Sequence, residues 1–360
     1  MSRTRAFGLT LIALPLLFAA HAGRLVAQAP TVTISGVGYA QYLYQLKGDS
    51  SLSGNAHQNN FDVTRAYLNA VGKFPAGLTT RVTIDLDGRK AASNQLSIRL
   101  KYAYLAWTPE KSPLTFKIGE IHTPLLDWEE ALWDYRMQGT MAMERAGYVS
   151  SSDFGAGIDG NWGYDKVNMQ VGVYNGENYS GAPGDQRKDV MGRVSVKLMN
   201  TDVAGRVGGL RVTAYGQYGK PTTGGRRQRV LGMVSYKSKM LTLAGEIGAT
   251  RDSVTGGTFS GAAVTPAANK TGRIYSVFGV LNVPNSKFGV IGRVDITDPQ
   301  TGSGFTNDRL TRIIGGVSYQ VNPNLRLLAD VDNVSRQGGN YANGFNATRS
   351  TAYFQTQFTF

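Results

Sequence analysis

From residue 31 onward, apolar and polar residues change places at almost every step. Within Phe61–Phe74, Ala66, Leu68 and Ala70 fall on one face and Arg65, Tyr67 and Asn69 on the other. Val82, Ile84 and Leu86 alternate with Arg81, Thr83 and Asp85, and Ile98 and Leu100 alternate with Arg99 and Lys101. A period of two marks a β-strand whose faces meet different surroundings. Followed along the chain, it predicts sixteen strands, at 33–46, 61–74, 78–87, 95–107, 114–120, 153–162, 167–175, 189–199, 209–219, 229–237, 240–250, 272–283, 288–296, 309–321, 325–334 and 349–360.

The connections alternate as well. Tight ones at 75–77, 109–113, 163–166, 200–208, 238–239, 284–287 and 322–324 interleave with long ones at 47–60, 87–95, 121–152, 176–188, 220–228, 251–271, 297–308 and 335–348. Outer-membrane barrels have this rhythm, with short periplasmic turns, long external loops and an even strand count. A tilted strand crosses in about 9–11 residues, which most segments supply. Hydrocarbon cannot satisfy an open sheet edge, so the sheet must close. A soluble β-sandwich or solenoid needs no such alternation. The expected fold is therefore all-β, a 16-stranded antiparallel transmembrane β-barrel forming one domain over 31–360.

The interval 121–152 breaks the pattern. It follows the fifth strand, which makes it the third external loop, expected to fold inward and constrict the pore. Its candidate constriction residues are Asp127, Glu129, Glu130, Asp134, Arg136, Glu144 and Arg145. Helical spacing of Glu129, Ala131, Leu132, Trp133 and Arg136 predicts a short helix, with Trp128, Trp133 and Tyr135 packing the loop onto the wall.

With the aliphatic faces toward lipid, Arg65, Arg81, Arg99, Lys101, Lys117, Arg193 and Arg211 line the pore wall. Facing lipid at mid-membrane, each would cost about 2–4 kcal/mol. Fewer acids share these faces, among them Asp85, Glu246, Asp295, Asp330 and Asp332. A basic lumen concentrates anions. Net charge is +13, but Lys and Arg are spread singly along strands, so nucleic acid is not an expected partner. Tyrosines such as Tyr39, Tyr42, Tyr102, Tyr104, Tyr215 and Tyr218 suit interfacial girdles, with some in the lumen. Gly225–Arg229 is a basic cluster in the fifth external loop, suited to an anion-collecting mouth or to lipopolysaccharide phosphates.

Residues 1–22 carry Arg3 and Arg5, an apolar run from Phe7 to Ala20 and the cleavage signal Ala20-His21-Ala22. This is a signal peptide, with cleavage after Ala22 or as late as Ala29. There is no cysteine, so disulfide and thiol chemistry are absent. The mature chain holds two histidines, His57 and His122, and neither GxSxG nor HExxH occurs. No catalytic, metal or cofactor site is expected. Alternating aromatics up to Phe360 resemble the C-terminal signal read by the outer-membrane barrel assembly machinery.

Six segments, FDVTRAYLNAVGKF, IRLKYAYLAW, FKIGEIHTPL, MERAGYVSSSDFGAGIDG, VGVYNGENY and KDVMGRVSVKL, lie between Phe61 and Lys197 or its neighbour Leu198. In content and order they resemble the phosphate-selective porins of the O/P type of Gram-negative outer membranes. The resemblance implies a homotrimeric sixteen-stranded channel whose third external loop enters the pore. In that family phosphate selectivity depends on lysines of this loop and the nearby wall; here the loop has none. The expected function is a porin for passive diffusion of inorganic ions and small hydrophilic solutes, with a weak anion preference that leaves phosphate and other oxyanions open. Alternatives are a non-conducting barrel serving as adhesin or structural protein, and a barrel enzyme.

Overall fold

The computed structural model describes residues 29–48, 57–89, 96–179, 181, 186–220, 225–253, 257–259, 262–264, 269–301, 309–337 and 349–360. The expected signal peptide lies outside them. Sixteen antiparallel strands close into a barrel. They are β1 (Thr31–Lys47), β2 (Asn59–Lys73), β3 (Leu78–Arg89), β4 (Leu96–Trp107), β5 (Leu114–His122), β6 (Ser152–Trp162), β7 (Val167–Tyr174), β8 (Asp189–Met199), β9 (Gly209–Gly219), β10 (Arg226–Lys237), β11 (Leu241–Ser253), β14 (Asn269–Asn282), β15 (Phe288–Asp298), β16 (Leu310–Asn322), β17 (Leu325–Arg336) and β18 (Arg349–Thr359). Each expected strand forms, with ends moved by a few residues. A small hairpin, β12 (Gly257–Phe259) with β13 (Ala262–Val264), stands apart from the barrel within the 251–271 connection and was not anticipated.

The distribution of burial is the reverse of a water-soluble protein's. Ile98, Ile118 and Val230 are 72 %, 62 % and 59 % exposed, whereas Asp85, Arg211 and Ser195 are fully buried. Exposed aliphatics over so much of the outer face are stable only against hydrocarbon. Rings frame this band. Trp107, Phe116, Trp162, Phe288 and Tyr319 lie at the tight-turn end; Tyr42, Phe61, Tyr218 and Phe354 lie at the other. Tyr39, Tyr102, Tyr104 and Tyr215 instead turn inward. For Tyr102 the reason is a bulge. Leu100 pairs with Ile84 and Tyr102 with Thr83, so Lys101 has no partner and both Lys101 and Tyr102 are buried inside.

The seam joins β1 to β18. The Gly36 amide donates to the Phe360 carbonyl at 2.8 Å, and the Phe360 amide donates back at 3.1 Å. The Phe360 and Phe358 rings cover Gly36 and Gly38 so closely that a Cβ there would stand 2.3 and 2.2 Å from a ring carbon. An aromatic laid over a strand glycine shields the bare backbone.

Candidate solute constriction

Between β5 and β6 the chain forms α1 (Leu126–Leu132), a 3-10 turn at Arg136–Gln138 and α2 (Ala142–Arg145). The expected helix is present but stops at Leu132, before Trp133 and Arg136. Leu125, Leu126, Trp128, Leu132, Trp133, Met141 and Met143 are fully buried. They meet an inner wall that is itself locally apolar, with Leu231, Met233, Ile274, Phe278, Ile291 and Ile314 buried. The Trp133 ring stands edge-on to Phe278, centroids 5.6 Å apart. Trp128, Trp133 and Tyr135 all join this cluster, as expected.

Polar ties follow the apolar seat around the barrel. Arg193 of β8 donates to the Pro124 carbonyl at 2.9 Å, and Lys237 of β10 to that of Ala131 at 2.7 Å. Arg293 of β15 donates to the Thr140 carbonyl at 3.0 Å, and Arg326 of β17 to that of Asp134 at 2.7 Å. The Tyr135 and Ser318 hydroxyls are 2.7 Å apart, and Gln355 of β18 donates to the Met137 carbonyl at 2.9 Å. A buried segment that touches inward side chains from β8 round to β18 runs inside the barrel. It is seated against that side and leaves its other edge toward β2–β4.

On β2–β4, Arg65 and Arg99 pair with Asp85 at 3.4 and 3.2 Å. Arg81 donates to Asn69 at 2.9 Å and lies 3.2 Å from the His122 ring nitrogen. Lys101 donates to the Tyr67 hydroxyl at 3.1 Å. On the loop, Arg136 binds Glu130 at 2.7 Å and Glu144 at 3.3 Å. Both rims keep some exposure, the Arg99 and Glu130 side chains being each 23 % exposed.

The other sequence-expected residues lie elsewhere. Asp127 is paired with Arg206 of the 200–208 turn, and Asp134 with Arg326, so both acids anchor the loop. Arg145 approaches Asp332 at 3.8 Å. Glu129 is fully buried and abuts Glu246 of β11, and none of the four carboxyl oxygens finds a protein donor. Burial, then the Glu246 carboxyl, pushes Glu129 well above the usual carboxylate range. Lys117 pairs with Asp159. Arg193 and Arg211 face inward but are buried; Arg211 is engaged by the Gly208 and Asp165 carbonyls at 2.9 and 2.7 Å. Of the loop acids, Glu130 and Glu144 both hold Arg136.

Sequence reading missed Arg206, and it missed the apolar inner wall. The signal for the wall was present in Val230–Val234 and Ile274–Val280, where apolar residues occupy both faces of the strand. Among the described residues, no group of His, Cys, Asp and Glu could hold a metal ion.

Several solved barrels share the fold. Salmonella typhi OmpF in complex with daunomycin is 15 % identical at a TM-score of 0.68, with 91 % of this chain and 97 % of that one covered. Vibrio cholerae OmpT in a trimer form is 12 % identical at a TM-score of 0.60, covering 92 % and 100 %. A refined porin structure is 11 % identical at a TM-score of 0.57, covering 92 % and 100 %. The comparison with curated protein sequences found no match. The family model of the phosphate-selective porins O and P matches residues 31–265, more than half of the chain, and the chain belongs to that family of outer-membrane porins.

Proposed function

We propose that this porin is a passive, weakly anion-preferring channel for small hydrophilic solutes, narrowed between the third loop and the β2–β4 wall. The observation that carries this reading is the charge set bordering the open side. Arg65, Arg81 and Arg99 of the wall, with the buried Lys101, and Arg136 of the loop oppose Glu130, Glu144 and the buried Asp85. Five cations against three carboxylates leave a positive excess along the proposed passage, where it acts on passing ions. The carboxylates are already engaged, so anions meet guanidinium edges without a dedicated cage. A phosphate site needs several convergent donors, and this loop supplies Arg136 alone to the open side. Phosphate then passes as one anion among others.

The trimer form of the similar Vibrio cholerae barrel supports a homotrimer. The Phe358 and Phe360 rings at the β1–β18 seam support presentation of this strand to the barrel assembly machinery. Reversal potentials across a planar bilayer under a KCl gradient test the selectivity. A modest anion preference is expected, with chloride current not blocked by added phosphate. Cation selectivity, or block by phosphate, would overturn the reading.

A further inference from the structure

The basic cluster Gly225–Arg229 is not a loop patch. Its arginines belong to β10, and alternation divides them. Arg227 turns inward to Asp189 at 2.9 Å and Arg229 inward to Asp252 at 2.6 Å, while Arg226 stays on the outer face, exposed. Beside Arg226, on that face, the external ends of β7–β14 enclose a groove of about 860 Å³.

The floor of the groove is glycine. Gly192 pairs with Gly216 on the neighbouring strand, and a Cβ at Gly216 would meet nothing within 4 Å. Its sides are apolar, formed by Val190, Tyr218, Val230 and Ala249, and all four point outward. One end is basic. Ala249 pairs with Arg273 and Arg251 with Thr271, so the two arginines are diagonal neighbours, about 7–8 Å apart at the backbone. Both are exposed. Neither makes an ion pair or side-chain hydrogen bond among the described residues. The carboxylate nearest by register, Asp298 opposite Arg273, closes no ion pair with it. Thr271 and Thr301 hold their hydroxyls 2.9 Å apart beside this end.

Depth gives the groove its polarity. Arg251 lies two residues from the external end of β11, and Ile247 continues the outward face toward the membrane interior, 56 % exposed. A basic end at the outer interface, above an apolar trough with a side-chain-free floor, complements an amphiphile with an anionic head and hydrocarbon below.

We propose that this groove binds one phosphorylated glycolipid of the outer leaflet, its phosphate on Arg251 and Arg273 and an acyl chain over Gly192 and Gly216. Guanidinium forks suit phosphate oxygens. A free inorganic anion would gain nothing from the trough. The inference depends on the outer-membrane location and not on conduction, because Arg251, Arg273 and the apolar sides of the groove face away from the lumen.

The test uses the purified full-length protein in detergent, with bis-phosphorylated lipid A as probe and its dephosphorylated form as control. Native mass spectrometry or thermal-shift titration measures binding to wild type, to R251Q/R273Q and to Gly216→Leu, which fills the trough. The expected result is at least tenfold weaker binding of the phosphorylated lipid to R251Q/R273Q, with the dephosphorylated lipid bound equally weakly by both proteins. G216L weakens both lipids. Single-channel conductance of the variants stays at the wild-type value, which separates failure here from failure of the channel reading. Equal binding by wild type and R251Q/R273Q overturns the proposal. So does full competition by inorganic phosphate, or loss of oligomer in either variant, which would assign this face to a second copy of the chain.

Discussion

Glu129 and Glu130 are adjacent and do opposite things. Glu130 is partly exposed and holds Arg136; Glu129 is fully buried against Glu246. Nothing in a run of two glutamates separates them, because the helix decides which one points at the wall. Their variants therefore diverge. Glu130→Lys removes an acid from the narrow region and adds a base, so reversal potential moves toward stronger anion preference. Glu129→Lys forces a charge into the loop seat and disturbs docking. Glu129→Gln has a pH signature. Its folded-state value is raised, so at acid pH the carboxyl is protonated in both folded and unfolded chains and contributes no penalty. As pH rises from the ordinary carboxylate range up to that raised value, the unfolded chain ionises while the folded one stays protonated, so the folded state loses stability relative to a neutral side chain, and above the raised value the loss is complete. E129Q should match wild type in acid and exceed it in alkali, by about 1–3 kcal/mol, in melting experiments run across pH. A wild type as stable as E129Q at alkaline pH would refute the buried-pair account.

Among elements, the third loop was legible as an interruption between the fifth and sixth strands, and the partners of its charges were not. Its position, its inward path and its aromatic anchors follow from a missing alternation and from the place of the break in the strand count. Its charge roles did not, because they depend on which wall residues meet it. Asp127 and Asp134 look like constriction acids until Arg206 and Arg326 are seen to hold them. The seat itself was legible in principle from the two-faced apolar stretches around Leu231 and Phe278. Trp133 sits in that seat, fully buried against Phe278. Trp133→Ala leaves a large void and should cost about 3–5 kcal/mol, much of it in loop docking. Noisier and larger single-channel currents would report the unseated loop, while unchanged currents would mean the polar ties suffice. Arg136→Ala frees Glu130 and Glu144 together, so the narrow region gains two unpaired acids and selectivity should move toward cations.

At the scale of the molecule, the fold was legible almost to the residue. Strand period, alternate loop lengths and aromatic bands are each imposed by a hydrocarbon solvent on one side and water on the other. What stayed hidden were departures from strict alternation, such as the Lys101–Tyr102 bulge, and the hairpin β12–β13, whose pairing the membrane does not dictate. Across the whole lumen, the proposed selectivity rests on a positive excess of Arg65, Arg81, Arg99, Lys101 and Arg136 over three engaged carboxylates. The most direct measurement is the zero-current potential of the reconstituted wild-type channel in a KCl gradient, repeated with R136A. A modest chloride preference is expected in wild type, weakening or reversing in R136A. A cation-selective wild type, or a potential unmoved by R136A, would contradict it.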